Sequence, residues 1–592
     1  MAVVRRLVSP WKLMLAFALM PAAFFAAPAA ADAATITVTT SSDVAAGECT
    51  LRKAITAANT NAFTDGCPAG SPSPTLDTIQ FAGGIGNTIV VATPLPVVLG
   101  NLAIVGPGAA ALTVSGGDTV AIFHVEETAT VTISGLTIAD GRCAFACGLL
   151  NDGALTLERV AVAHNAAVIE GGTSDFPEGG GILNRATLTL VESSVTANIA
   201  KAAGGSSQNA PQGGGIYNST SGTLTLERSV VSGNSSLASS SGAGSTNATG
   251  GGIANFGTLV VRQSTISGNV ASGTGSTANN TGAGGGISDA NSPSVKVTID
   301  RSTISGNSAI STGTSPNARS GGFNVFGSSF TVRSSTIAGN SAPIGANLTG
   351  GVLASFANTI VAEPLGGGAN CSVPVTSAGY NLESAASCGF EAAGDKPSTD
   401  PLLAPGGPAA NGGPTPTIAL LEGSPAIDAG LSAVGETVDQ RGLTRPVEIP
   451  TVADAVGGNG ADIGAFEVQL PVVPAPVEPE KQTTPVDPGP PQTPPVTVVP
   501  PRDTVAPTAT ISGLKAKTTA RTLRIRFTSS EPGSTFRCKL DAKAYSTCRS
   551  PLKTKKLALG PHTFAVIATD PAGNSSRAAK KKFRVVAPGG VR

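Results

Sequence analysis

The chain has 592 residues, of which 74 are Gly and 43 Pro, and only 13% are charged and 4% aromatic. No Gly-X-Y period runs through it, which excludes collagen, and 41% hydrophobic residues are too many for a wholly disordered chain. The formal net charge is zero, and the length admits either several ordinary domains or one long repeat array.

Residues 1–33 read as a secretory signal peptide. Arg5, Arg6 and Lys12 precede the apolar stretch 13–25, and small residues lead to a cleavage site at Ala31-Asp32-Ala33. A signal anchor is the other reading of this segment. Met1, Met14, Met20 and Trp11 are the chain's only Met and Trp residues, so any later core is built from Val, Ile, Leu, Ala and a few Phe. No later window holds the ~18 unbroken apolar residues of a membrane span.

The eight cysteines fall into local couples: Cys49 with Cys67, Cys143 with Cys147, Cys371 with Cys388, and Cys538 with Cys548. An even count, local spacing and an exported chain point to structural disulfides. The spacings match no zinc pattern, and the only histidines are His124, His164 and His562. No metal or cofactor is therefore expected. Residues 34–87 are predicted to form an N-terminal cap, in which Leu51, Ile55 and Ala58 share one face of a short helix that blocks strand addition to the first coil.

Residues 88–365 are predicted to be stacked coils. Thr88 to Ile138 has short apolar runs punctuated by Gly. After it, six segments align without gaps on Asn165, Asn198, Asn234, Asn269, Asn307 and Asn340. Three positions before each Asn stands Val or Ile. Aliphatic residues or Phe stand eight and ten positions before, an offset of two that is strand alternation. The Asn-to-Asn steps are 33, 36, 35, 38 and 33 residues, and the variation sits in Gly/Ser/Thr/Ala inserts such as 235–249. One coil plus a protruding loop per repeat explains this. Stacking buries aliphatic columns that no single coil could bury, and a right-handed parallel β-helix fits best. A column of Glu158, Val191, Glu227, Arg262, Asp300 and Arg333 is expected to form an exterior ladder of weak ion pairs. The Asn column is expected to satisfy backbone groups and its neighbours' amides at a coil corner.

Two motif sets carry a family resemblance. Cys49-Thr50-Leu51-Arg52-Lys53-Ala54-Ile55, followed by Ala57-Ala58-Asn59, resembles the CSLREAI motif of exported bacterial β-helix proteins, with Thr50 in place of Ser and Lys53 in place of Glu. In region 366–468, Gly423-Ser424-Pro425-Ala426-Ile427-Asp428-Ala429-Gly430, Asp439-Gln440-Arg441-Gly442, Arg445-Pro446 and Asp462-Ile463-Gly464-Ala465-Phe466-Glu467 resemble the choice-of-anchor Q proteins. Asn381-Leu382 and Cys388-Gly389-Phe390 fit the same pattern. The resemblance spans roughly 34–468 and implies secretion and surface display without a defined reaction. The charged residues of this region are read as internal salt bridges and turn caps, with cation or ligand binding as the alternative.

Residues 469–506 are a Pro-rich spacer, ~3.1 Å per residue if extended. Residues 507–592 alternate as short strands, and 560–574 resembles bacterial Ig-like repeats, implying a β-sandwich. This segment holds 18 Lys and Arg against Glu531, Asp541 and Asp570, a net +15, so residues 1–506 carry −15. The fold class is thus all-β: solenoid, spacer and Ig-like unit.

For function, a secreted or cell-surface scaffold without catalysis, adhesin-like or envelope-associated, is the primary reading. Its expected partner is cell-envelope polysaccharide or another anionic polymer, with no nucleic acid in vivo and a monomeric chain. The alternative is a polysaccharide lyase or glycoside hydrolase of the β-helix type. The best candidates for its chemistry are Glu126, Glu127, Asp140, Arg142 and Asp175, in or near the less regular coils. The chain has no Asp-Asp pair, and none of its Gly-rich lead-ins is a phosphate loop ending in Gly-Lys-Ser/Thr.

Overall fold

The computed structural model describes residues 33–470 and 507–586, apart from 73, 173, 205–207, 243, 277, 290–294, 326–328, 351–353, 513, 515–516, 532–533, 542–544, 555, 570–573 and 575. The expected leader and Pro-rich spacer lie almost wholly outside the described residues. The chain forms two compact units, 1–474 and 475–592. Among the described residues it is almost entirely β, with one α-helix, Leu51–Thr60.

The first unit is a stack of parallel strands. Its sheets contain twelve, eleven, eight, six and five strands among the described residues, and successive coils add one strand to each sheet in turn. Register is exact where the apolar columns lie. Leu224 pairs with Leu188 and Leu259, Val231 with Val195 and Ile266, and Ile216 with Ile182 and Ile253. All nine are 0% exposed. Like side chains stacked at the ~4.8 Å strand spacing bury one another, and the result is a parallel β-helix-like solenoid. Its sheets run beyond both ends of 88–365, taking in Thr35–Val38 at one end and Leu382–Glu383 at the other.

Each coil turns on left-handed residues. In one coil these are Gly213 (φ 67°), Arg228 (φ 46°) and Gly233 (φ 64°). The Arg228 corner is held by non-glycine residues in neighbouring coils, such as Glu192 (φ 49°) and Gln263 (φ 47°). Each such residue costs about 1 kcal/mol, and stacking on identical corners offsets it. The Gly213-Gly214-Gly215 run has a division of labour. Gly213 supplies the left-handed turn, while a Cβ on Gly214 would lie 2.4 Å from the backbone of Ser235, and one on Gly215 would lie 2.9 Å from the amide of Asn234.

The inserts are not loops. They form the six-stranded and five-stranded sheets, for example through Ser235–Ser240 and Ser245–Thr249. The two sheets lie against each other as a thin fin. Ala200, Ala202, Ala238, Ala271 and Ala248 are buried between them. A Cβ on Gly273 would lie 2.2 Å from the carbonyl of Thr281. Small residues permit this approach, so a Gly/Ser/Ala composition that reads as loop from sequence here specifies closely packed strands.

The helix sits where the sequence places it. Thr50 caps it by accepting from the Lys53 N–H (3.3 Å), and Leu51, Ala54, Ile55 and Ala57 are buried against the solenoid core. Arg52 holds Asp43 at 2.8 Å. Disulfides join Cys49 to Cys67, Cys143 to Cys147, Cys371 to Cys388 and Cys538 to Cys548.

The second unit pairs a three-stranded sheet (Ala509–Ser512, Arg524–Ser529, Leu552–Lys553) with a five-stranded one. The latter runs Lys517–Thr518, Ala579–Val585, Gly560–Thr569, Thr535–Leu540 and Ser546–Cys548. Ile525, Phe527, Phe564, Val566, Phe583 and Val585 form its core.

Candidate functional site

The polar columns of the solenoid bond along the stack. The Asn198 amide donates to Asn234 Oδ1 (3.0 Å), Asn234 to Asn269 (2.9 Å), Asn269 to Asn307 (2.9 Å) and Asn307 to Asn340 (2.9 Å). Each also donates to a backbone carbonyl of the coil before it. The column continues past Asn340 through Asn347 and Asn370 to Glu383. Two further columns escape the sequence reading. Asn151, Asn184, Asn218 and Asn255 bond in series at 2.7 Å, and Ser193, Ser229, Ser264, Ser302 and Ser335 receive backbone N–H groups at 3.0–3.1 Å. Their signals were present: Asn two residues after Ile182, Ile216 and Ile253, and Ser five before every ladder Asn except Asn165.

Among the described residues the expected column forms no ion pair between its own members; the inter-coil pair at this corner is Arg228 with Glu192 (3.2 Å). Glu227 pairs with Arg228 (2.8 Å) and Asp300 with Arg301 (2.8 Å), their neighbours in sequence, and Glu158 approaches Arg159 at 3.8 Å. The left-handed corner turns the following Arg back toward the acid, a proximity that column spacing alone does not reveal. Arg262 and Arg333 are left without an acidic partner within ion-pair distance among the described residues.

The carboxylates nominated for catalysis are tied to local structure. Glu126 accepts the Thr128 N–H (2.9 Å) and hydroxyl (2.8 Å), which hold its pKa below the ordinary value. Asp140 accepts from Ser115 (3.1 Å). Asp175 is 1% exposed at the fin. Glu127 and Arg142 are exposed on the surface. His124 meets Asp152 at 2.8 Å and His562 meets Asp541 at 2.8 Å. Among the described residues no three His, Cys, Asp or Glu side chains gather as a metal site.

Asp428, Asp439, Arg441, Arg445, Asp462 and Glu467 form a buried network beside the solenoid flank, while Glu448 and Asp454 are exposed. Gln440 accepts from Thr303 (2.6 Å) and donates to Thr265 (2.9 Å), and Asn358 donates to the Asp462 carbonyl (3.1 Å). Arg445 is 1% exposed, its Nε 3.5 Å from Glu436 and 3.4 Å from Glu467. Arg441 ion-pairs with Asp439 (2.7 Å) and lies over the Phe466 ring. Burial pushes the Glu467 carboxyl up to about 8 and Asp462 up to about 6 against the pull of Arg445. Most of these groups have partners within the chain, but Asp428 Oδ1, Glu436 Oε1 and Arg445 Nε are buried without a hydrogen bond, Arg445 Nε meeting its two carboxylates at ion-pair distance only.

Two of the concavities on the first unit gather polar side chains from separate elements. One, about 440 Å³, occupies the elbow between the fin and the solenoid body, lined by Gln212, Asn247, Phe256, Asp289, Arg319 and Asn324. Phe256 packs at a tilt against Tyr217 (ring centroids 5.1 Å apart), whose hydroxyl is pushed up to about 12 by burial and by Glu178. The other is a trough over the twelve-stranded sheet, made of adjoining cavities of about 300 and 490 Å³ that share Thr331, Arg333, Ala433, Val434 and Glu436.

In the second unit, pairing gathers cations on the outer face of the five-stranded sheet. Lys539 and Lys580 flank Ala565, Lys582 pairs with Thr563, and Arg584 pairs with both Pro561 and Lys517. Arg537, beside Ile567, shares that face. Comparison with protein-family models, with curated proteins and with solved structures returned no match.

Proposed function

We propose that the chain is an exported scaffold without catalysis, a right-handed β-helix of the CSLREAI and choice-of-anchor Q kind. Its C-terminal unit, read as an Ig-like sandwich, attaches it to anionic envelope polymer. The observation that carries the reading is the basic sheet face. Six cations, Lys517, Arg537, Lys539, Lys580, Lys582 and Arg584, lie on one surface of a unit whose residues 507–592 carry +15 in sequence. Such a surface raises the local concentration of polyanions, and the attraction is screened by salt. The four disulfides fit an oxidising compartment.

The test is retention of the full chain on purified cell envelope at low and at 1 M salt, beside the variant K580E/K582E/R584E. Retention is expected at low salt, with loss at 1 M and loss in the variant. Equal retention in all three arms contradicts the attachment role.

A further inference from the structure

We infer that the trough over the twelve-stranded sheet binds a carboxylate-bearing polysaccharide strand. Its floor is a column of outward hydroxyls, Thr298, Thr331 and Ser355, on adjacent paired strands. One wall is the segment 431–436, which is held in place before any ligand arrives. Asn358 accepts the Leu431 N–H (3.1 Å), Asn459 accepts the Ser432 N–H (3.1 Å), and Glu436 accepts both the Ala433 N–H and the Ser334 hydroxyl (3.1 Å each). A wall fixed in this way need not be ordered on binding. It presents Leu431 (41% exposed) and Val434 (107%) to solvent, an apolar surface suited to the C–H faces of sugar rings.

The charge of the trough selects the ligand. Asp300 is taken by Arg301, and Glu436 lies beside buried Arg445. Arg262 and Arg333, both exposed and without an acidic partner among the described residues, register on either side of Asp300, two strands or roughly 9–10 Å apart. Guanidinium forks match carboxylates in bidentate geometry, and a pair at fixed spacing favours a polymer that repeats its acid. Hydroxyl floor, apolar lip and paired guanidinium groups together describe a uronate-type strand.

The full chain permits a local readout, because its only Trp is Trp11. V434W places an indole on the lip, whatever the C-terminal unit binds. Oligogalacturonate is expected to shift the V434W emission saturably. Adding R333A should weaken the apparent Kd at least tenfold, and R262A several-fold. A neutral oligosaccharide of equal length and an oligodeoxynucleotide of equal charge should each give no saturable shift. The inference is overturned if oligogalacturonate leaves the emission unchanged, if R262A and R333A respond like V434W alone, or if either control ligand matches the uronate.

Discussion

Asn269 shows how one side chain holds three coils. Its amide donates to the Val231 carbonyl and Asn307, and its carbonyl oxygen accepts the Asn234 backbone N–H and the Asn234 amide, all within 3.0 Å. Asn269→Leu keeps the volume and strands the groups around it. Each stranded buried group costs about 1–3 kcal/mol, so a loss on the order of 3 kcal/mol is expected in urea unfolding, with no change in ligand affinity at the trough. The same scale governs the Arg445 network. Glu467 titrates at about 8 when folded against an ordinary 4.5, and Asp462 at about 6 against 3.8. The folded chain therefore binds more protons than the unfolded one across this interval, and stability falls as pH rises from about 4 to about 8. Below the ordinary values that loss is absent. E467Q should flatten the upper part of the decline, which thermal unfolding across the pH range would measure. A wild-type midpoint that rises over the same interval contradicts the assignment.

At the scale of elements, the fin depends on glycine as a spacer. Gly251 stands at its neck, where a Cβ would lie 2.4 Å from the Val270 carbonyl and 2.5 Å from that of Gly285. Gly251→Ala is expected to cost at least the ~1–3 kcal/mol of an overpacked core. Gly242, with nothing within 4 Å of its Cβ position, should accept Ala with a negligible change in denaturation midpoint. The fin was the least legible element, because Ala, Gly and Ser have weak strand preference. Their role appears only when two sheets approach closely enough to exclude anything larger. The helix was the most legible, since Leu51 and Ile55 announce its buried face; its Thr50 cap appeared only in the structure. The ion-pair column was misread because an in-register stack was assumed to set charge partners, whereas the left-handed corner brings each acid's sequence neighbour closer.

At the scale of the molecule, the first and second units have separate cores, and the three contiguous clusters of the first include one built from Ile360, Leu382, Ile418 and Ile463. The C-terminal stretch of the first unit is thus part of the solenoid's own packing. Differential scanning calorimetry of the full chain should show two transitions, and deletion of 475–592 should remove one while leaving the other's midpoint within a degree or two. A single transition abolished by that deletion would show the units to be interdependent.

The sequence by itself determined the stacking, because a strand repeat that places Leu, Val or Ile at fixed offsets from Asn buries them only when coils superimpose. It also determined the cysteine couples, whose spacing is local, and the charge asymmetry, which is a count. Only the tertiary structure decided that the inserts are strands, that Gln440 and Glu436 lock onto a flank formed by Thr265, Thr303 and Ser334 far earlier in the chain, and that Arg262 and Arg333, beside a fixed lip, have no acidic partner among the described residues. The insert strands depend on pairing between neighbouring coils, such as Ser235 with Val270, and the flank contacts on segments more than 100 residues apart, such as Gln440 with Thr303 and Asn358 with Asp462. Local pattern encodes which side chains face inward, and chain path encodes which distant groups meet.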